Sequence, residues 1–109
     1  MNILDGTTAV QASTNSYALV GSIVDASMAI AVSFTIKNTG AQTILWEVLA
    51  GNTSDLSDGV AVSAPATLAS NAFTSYAVTP APYAFYGLYI KANVNDVHGT
   101  ATIKGIAKG

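Results

Sequence analysis

The chain has no cysteine. Disulfides, thiolate chemistry and Cys-based zinc or iron–sulfur sites are excluded, and the core must hold without covalent staples. It has no arginine and only four lysines. Phosphate backbones are gripped by clusters of Lys and Arg, so nucleic acid is not an expected partner. The same scarcity argues against a polybasic membrane anchor. Charged residues make up 9% of the chain, against about a quarter in ordinary soluble domains. Long hydrophobic runs are also missing. The longest mainly apolar stretch, Met28–Phe34, falls far short of the roughly 18 residues of a spanning helix. The opening M-N-I-L-D-G-T-T has an acid at position 5 and no basic segment before an apolar one, so it does not read as a signal peptide. The expectation is a protein made in the cytoplasm, which stays there or leaves by a route other than secretion.

What fills the space left by charge is Ala, Ser, Thr, Asn and Gly, in a chain of 109 residues that is 50% apolar. Such a surface is cheap to desolvate, because hydroxyls and methyls cost far less to bury than ammonium or carboxylate groups. Interface cores are depleted in charge in the same way. A subunit with much of its surface covered in an assembly is therefore expected. The length fits one domain with a two-layer core.

The strongest pattern runs from Ala29 to Gly51. Ile30, Val32, Phe34 and Ile36 alternate with smaller or polar residues, and Ile44, Trp46 and Val48 do the same after Asn38-Thr39-Gly40. A period of two marks strands with one buried face, and the turn residues between them predict a β-hairpin. Tyr86, Leu88 and Ile90 form a third such row, and Ile103 lies in a fourth. These eleven residues are the expected core. Further strands are expected over 17–24, 60–63 and 73–78. Turn signals about every ten residues, with no convincing helical period, predict an all-β, single-domain antiparallel β-sandwich or jelly roll of roughly seven or eight short strands. The domain is expected to span 17–109. The small, polar segment 1–16 is expected as an arm, with a short edge strand near Val10 and Ala12.

Catalytic chemistry finds little purchase. His98, the only histidine, sits in an Asn/Asp/Gly turn near Asp96, and no nucleophile elbow frames any serine. No catalytic residue, cofactor or enzyme activity is expected. Asn52, Asp55 and Asp58 are the best calcium candidates, since hard cations want several oxygens on a turned loop, but their spacing does not follow the EF-hand pattern. Tyr76, Tyr83 and Tyr89 are expected at an interface or rim, together with Asp5 and Val10 of the arm. Exposed rings of this kind also suit stacking on sugars.

The order F-T-I-K-N-T-G, I-L-W-E-V-L-A-G-N, a polar Asp-bearing loop, P-Y-A-F-Y-G-L-Y-I-K-A and H-G-T-A-T-I-K-G-I-A-K resembles small β-sandwich virion proteins of tailed bacteriophages, especially capsid decoration (cement) proteins. The resemblance covers about two thirds of the chain, from Phe34 to the C-terminus. It implies a non-enzymatic virion subunit on the outside of the capsid, binding the major capsid protein or another virion protein as a homo-trimer or other homo-oligomer. It also implies an N-terminal segment that lies on the shell or pairs with a neighbour. Tail, baseplate or fibre components share this strand grammar, as do carbohydrate- or receptor-binding sandwiches.

Overall fold

Alternation of apolar and small residues makes each strand bury one face, and two such faces meet. A computed structural model describes residues 2–109. Among them are ten strands and no helix: β1 (Ile3–Ala12), β2 (Ala18–Leu19), β3 (Val24–Asp25), β4 (Ala31–Asn38), β5 (Ile44–Gly51), β6 (Val60–Ala61), β7 (Ala66–Leu68), β8 (Phe73–Val78), β9 (Phe85–Ala92) and β10 (Thr100–Lys108). One sheet has the order β1-β10-β4-β8. The other has the order β2-β9-β5-β6, with β3 also on β9 and β7 also on β5. Every pairing is antiparallel. The result is an antiparallel β-sandwich, with two to three more strands than expected because several are only two or three residues long.

The core lies between the sheets. Val32, Phe34, Ile36 and Ile103 come from the first, and Ile44, Trp46, Val48, Tyr86, Leu88 and Ile90 from the second, all buried. Val20 and Val24 join them. Val20 and Val24 share one parity, but the segment 17–24 is interrupted at Gly21, which has a positive φ of 71°, and forms two short strands instead of one. Trp46 sits in register beside Ile90, and Val48 beside Leu88. The tryptophan therefore shares an inner face with the β9 residues.

Three expectations change. The Ala29–Gly51 stretch is not a hairpin: β4 and β5 lie in different sheets, and Asn38–Thr43 carries the chain across. Ile30 is not core. It precedes β4 and is 51% exposed, because its backbone is held by Lys108 and Ala81 while its side chain lies past the end of the inner row. Residues 3–12 are not a loose arm. They pair with β10 over its whole length, from Ile3 beside Lys108 to Ala12 beside Thr100. Short polar residues hid this strand, and they also bind it. Asp5 Oδ2 accepts the Asp25 N–H at 2.6 Å, and Thr7 Oγ1 accepts the Ser22 N–H at 2.9 Å.

Asn38 fixes the crossing. It is fully buried. Its Nδ2 donates to the carbonyls of Gln42 (2.7 Å) and Leu68 (2.9 Å), and its Oδ1 accepts the Gly40 N–H at 3.0 Å. The donor capacity of the amide is filled, as a buried polar group requires. Gly40 does not supply a positive φ. It supplies room, since a Cβ there would meet the Thr100 amide nitrogen at 2.7 Å.

Asn38→Ala should strand these partners and cost about 2–5 kcal/mol, whereas Ile30→Ala should stay within about 0.5 kcal/mol; urea denaturation compares them. Deleting residues 2–12 should abolish the dispersed amide spectrum of a folded sandwich.

Candidate interaction surfaces

The residues expected at an interface do not share one patch. Val10 stands on the outward face of the four-stranded sheet, 68% exposed, opposite Thr102. Tyr89 stands on the outward face of the other sheet, beside Glu47. Tyr83 packs edge-to-face on buried Tyr86, with centroids 6.3 Å apart, and Tyr76 shares that end of the core. Asp5 is occupied by its bond to the Asp25 amide.

The outward face of the six-stranded sheet is the more informative surface. The strand registers put Leu45 beside Lys91, Glu47 beside Tyr89 and Leu49 beside Gly87, with Leu19 next to Tyr89 and Phe85 next to Gly51. Leu19, Leu45, Leu49, Phe85 and Tyr89 are all half-buried. Leu56, from the 52–59 loop, folds over the same face. A Cβ on Gly87 would meet Leu19, Leu56 and Tyr89 at 3.0 to 3.1 Å, so a side chain there would push the cluster apart. Antiparallel sheets that face water usually alternate apolar-in with polar-out; this one is apolar on both sides. The signal was present in the sequence, where Ile44–Ala50 has apolar residues on both parities, a mark of burial on both faces.

Two charges cross this face. The Lys91 ammonium lies 5.8 Å from the Tyr17 ring centroid, within cation–π range. Burial pushes the Tyr17 and Tyr89 hydroxyls above their ordinary pKa, and the nearby Glu47 carboxylate adds to the rise. Burial also raises Tyr86, and it raises Tyr76 with help from Tyr86 and Tyr83.

The calcium candidates turn out to be caps. Asp58 accepts the amides of Asn52 (3.0 Å) and Thr53 (3.2 Å) and the Thr53 hydroxyl (2.6 Å). Asp55 accepts the Ser57 amide, and Asn52 Oδ1 accepts the Ala84 amide. These bonds hold both carboxyls below the usual carboxylate range: for Asp58 mainly the Thr53 hydroxyl and Asn52 amide, for Asp55 the Ser57 amide. The oxygens serve the loop's own backbone, as Asx residues in turns do. Among the described residues, no three His, Cys, Asp or Glu side chains gather at metal-binding spacing. Asp96 exchanges two bonds of 2.8 Å with Asn15, so it is engaged away from the exposed His98.

No family model and no curated protein matches the chain. Solved structures do match the fold. PirA superposes with a TM-score of 0.62 at 13% identity, over 89% of this chain and 91% of that one. A structure from Bacillus endospore appendages, described as a novel family of disulfide-linked pili, gives 0.57 at 15% identity, over 99% and 90%. YomS, a protein derived from the SPBc2 prophage, gives 0.55 at 11% identity, over 98% and 97%. At these identities the likeness is one of fold.

Folding favours the neutral form of all four raised tyrosines. Their stabilisation is therefore whole below about pH 10 and is lost as pH rises through the higher folded values. The urea midpoint should fall above about pH 10, and Tyr89→Phe should flatten that fall. The aspartates run the other way. Protection of the 51–59 amides should weaken as pH drops below about 4, which hydrogen exchange at stepped pH would register.

Proposed function

We propose that the chain is a non-enzymatic virion structural protein of a tailed phage, a decoration subunit that binds the assembled head and stabilises it. One observation carries the reading. The outward face of the six-stranded sheet presents Leu19, Leu45, Leu49, Phe85 and Tyr89 where a solvated sheet would be polar. Aromatic residues and depleted charge are the composition of interface centres. The face is suited to another copy of the chain, in a homo-trimer or other ring, leaving the rest of the surface for the major capsid protein. The sandwich's likeness to a prophage-derived protein supports the phage setting, and its likeness to a pilus component supports a role in assemblies of many copies. Unlike disulfide-linked pili, a chain without cysteine has no disulfide with which to join its copies.

A decoration protein stabilises by mass action: it binds the assembled state and not the loose one. Many weak, identical contacts then add through avidity. No acid–base pair or nucleophile is required for this.

Sedimentation of the purified protein should give a stable oligomer, and Leu49→Lys should convert it to a folded monomer. Mixed with virions, the wild-type protein should bind heads to saturation. A monomeric wild-type protein that fails to pellet with heads would sink the proposal. Saturable binding to tails alone would move the role to the tail, baseplate or fibre.

A further inference from the structure

The few charges are sorted by face. On the outward side of the four-stranded sheet stand Lys37 of β4 and Lys104 and Lys108 of β10, three of the four lysines. The outward positions of β1, β4, β8 and β10 include no Asp or Glu. All six acids lie elsewhere: Asp5 and Asp25 at the strand ends, Glu47 on the opposite sheet, and Asp55, Asp58 and Asp96 in loops. A chain with net charge −2 thus carries one wholly cationic face.

Within that face is a shallow hollow of about 220 Å³, lined by Thr8, Thr35, Lys37, Phe73, Thr102 and Lys104. The registers give its layout. Thr102, Lys37 and Phe73 stand side by side on β10, β4 and β8, and Thr8, Lys104 and Thr35 form the next row on β1, β10 and β4. The two lysines are diagonal neighbours, about 7–8 Å apart at their bases. Phe73, 79% exposed, gives up the burial that a ring of its size normally takes. The hollow crosses four strands and so runs about 14 Å, the reach of a short oligosaccharide. Its volume is below the roughly 300 Å³ of pockets that enclose a small molecule. It suits a ligand laid on the surface.

We propose that this hollow binds an acidic saccharide, a sugar carrying a carboxylate. Phe73 takes the C–H face of a pyranose ring, the threonine hydroxyls exchange donor and acceptor roles with sugar hydroxyls, and Lys37 and Lys104 meet the carboxylate as point charges. Three lysines are too few to hold a nucleic acid, whose binding is built on many neutralised phosphates. A cationic face for acidic protein would not need an exposed ring. This site lies on the sheet opposite the assembly face and does not rest on the decoration reading.

The test is a titration of the full chain with trigalacturonate, maltotriose and hexaglutamate, followed by amide NMR. The expected result is saturable shifts around Phe73, Lys37 and Lys104 with trigalacturonate and none with maltotriose. Binding should weaken at least tenfold in Phe73→Ala and in Lys37→Gln/Lys104→Gln, and should be unchanged in Lys91→Gln. Folding of each variant is checked in the same spectra. Absence of saturable shifts with trigalacturonate, and equally with sialyllactose and a glucuronate trimer, would overturn the proposal. Binding of hexaglutamate as tight as that of the sugar, insensitive to Phe73→Ala, would overturn it too and make the face a general polyanion surface.

Discussion

The sandwich depends on how Asn38 is satisfied. Where the chain leaves one sheet for the other, its backbone turns away from both ladders, and carbonyls buried there have no strand partner. Asn38 fills that gap from within the core, bonding Gln42 and Leu68 with one amide and Gly40 with its oxygen. Its own N–H and C=O reach Ala72 and Asn71. Four segments converge on this one residue, through its side chain and its backbone: the end of β4, the approach to β5, β7 and the approach to β8. Each short-range turn in that region is therefore correct only when all are. Ser13, buried at the same end, exchanges bonds of 2.8 Å with Gly99, which ties in the approach to β10.

What was legible in the sequence follows from this. Alternation reports which side of a strand is dry, and it did so for Val32–Ile36, Ile44–Val48, Tyr86–Ile90 and Ile103. It does not report which strand lies alongside. Asn38-Thr39-Gly40 carries the same residues as a hairpin turn, yet Asn38 points inward and β4 and β5 part company. β1 was obscured for a different reason. Its inner row, Asp5, Thr7, Ala9 and Gln11, is polar or small because it closes the rim of the sandwich and bonds to backbone amides instead of filling volume. The 17–24 segment is not one strand, because the left-handed backbone at Gly21 interrupts it and leaves the two short strands β2 and β3. Phe73 was readable as a strand residue, but its exposure depends on which of its strand's faces the sheet turns outward.

With so few charges, the molecule uses them by position. The acids at one rim and in the loops accept backbone amides, as Asp5, Asp55 and Asp58 do. Three of the four lysines collect on one sheet. The opposite sheet keeps a single Glu47 and Lys91 amid leucines and rings. Low charge content would otherwise leave a surface with little to distinguish one side from another. Here the two broad faces differ in chemistry, so copies meeting through the apolar face would keep the cationic face outside.

The strand order has a temporal side. β10 comes last along the chain yet stands between β1 and β4 in its sheet. β1, first in order, has no ladder until β10 arrives, and β4 lacks its inner neighbour for as long. The intervening segments can pair β5 with β9 early, but the four-stranded half waits for its latest strand. Closure of long loops before any contact rewards them slows folding. During that interval the edges of β1 and β4 are open to other nascent chains, so a cell that makes many copies at once gains from whatever keeps those edges apart until the final strand is in place.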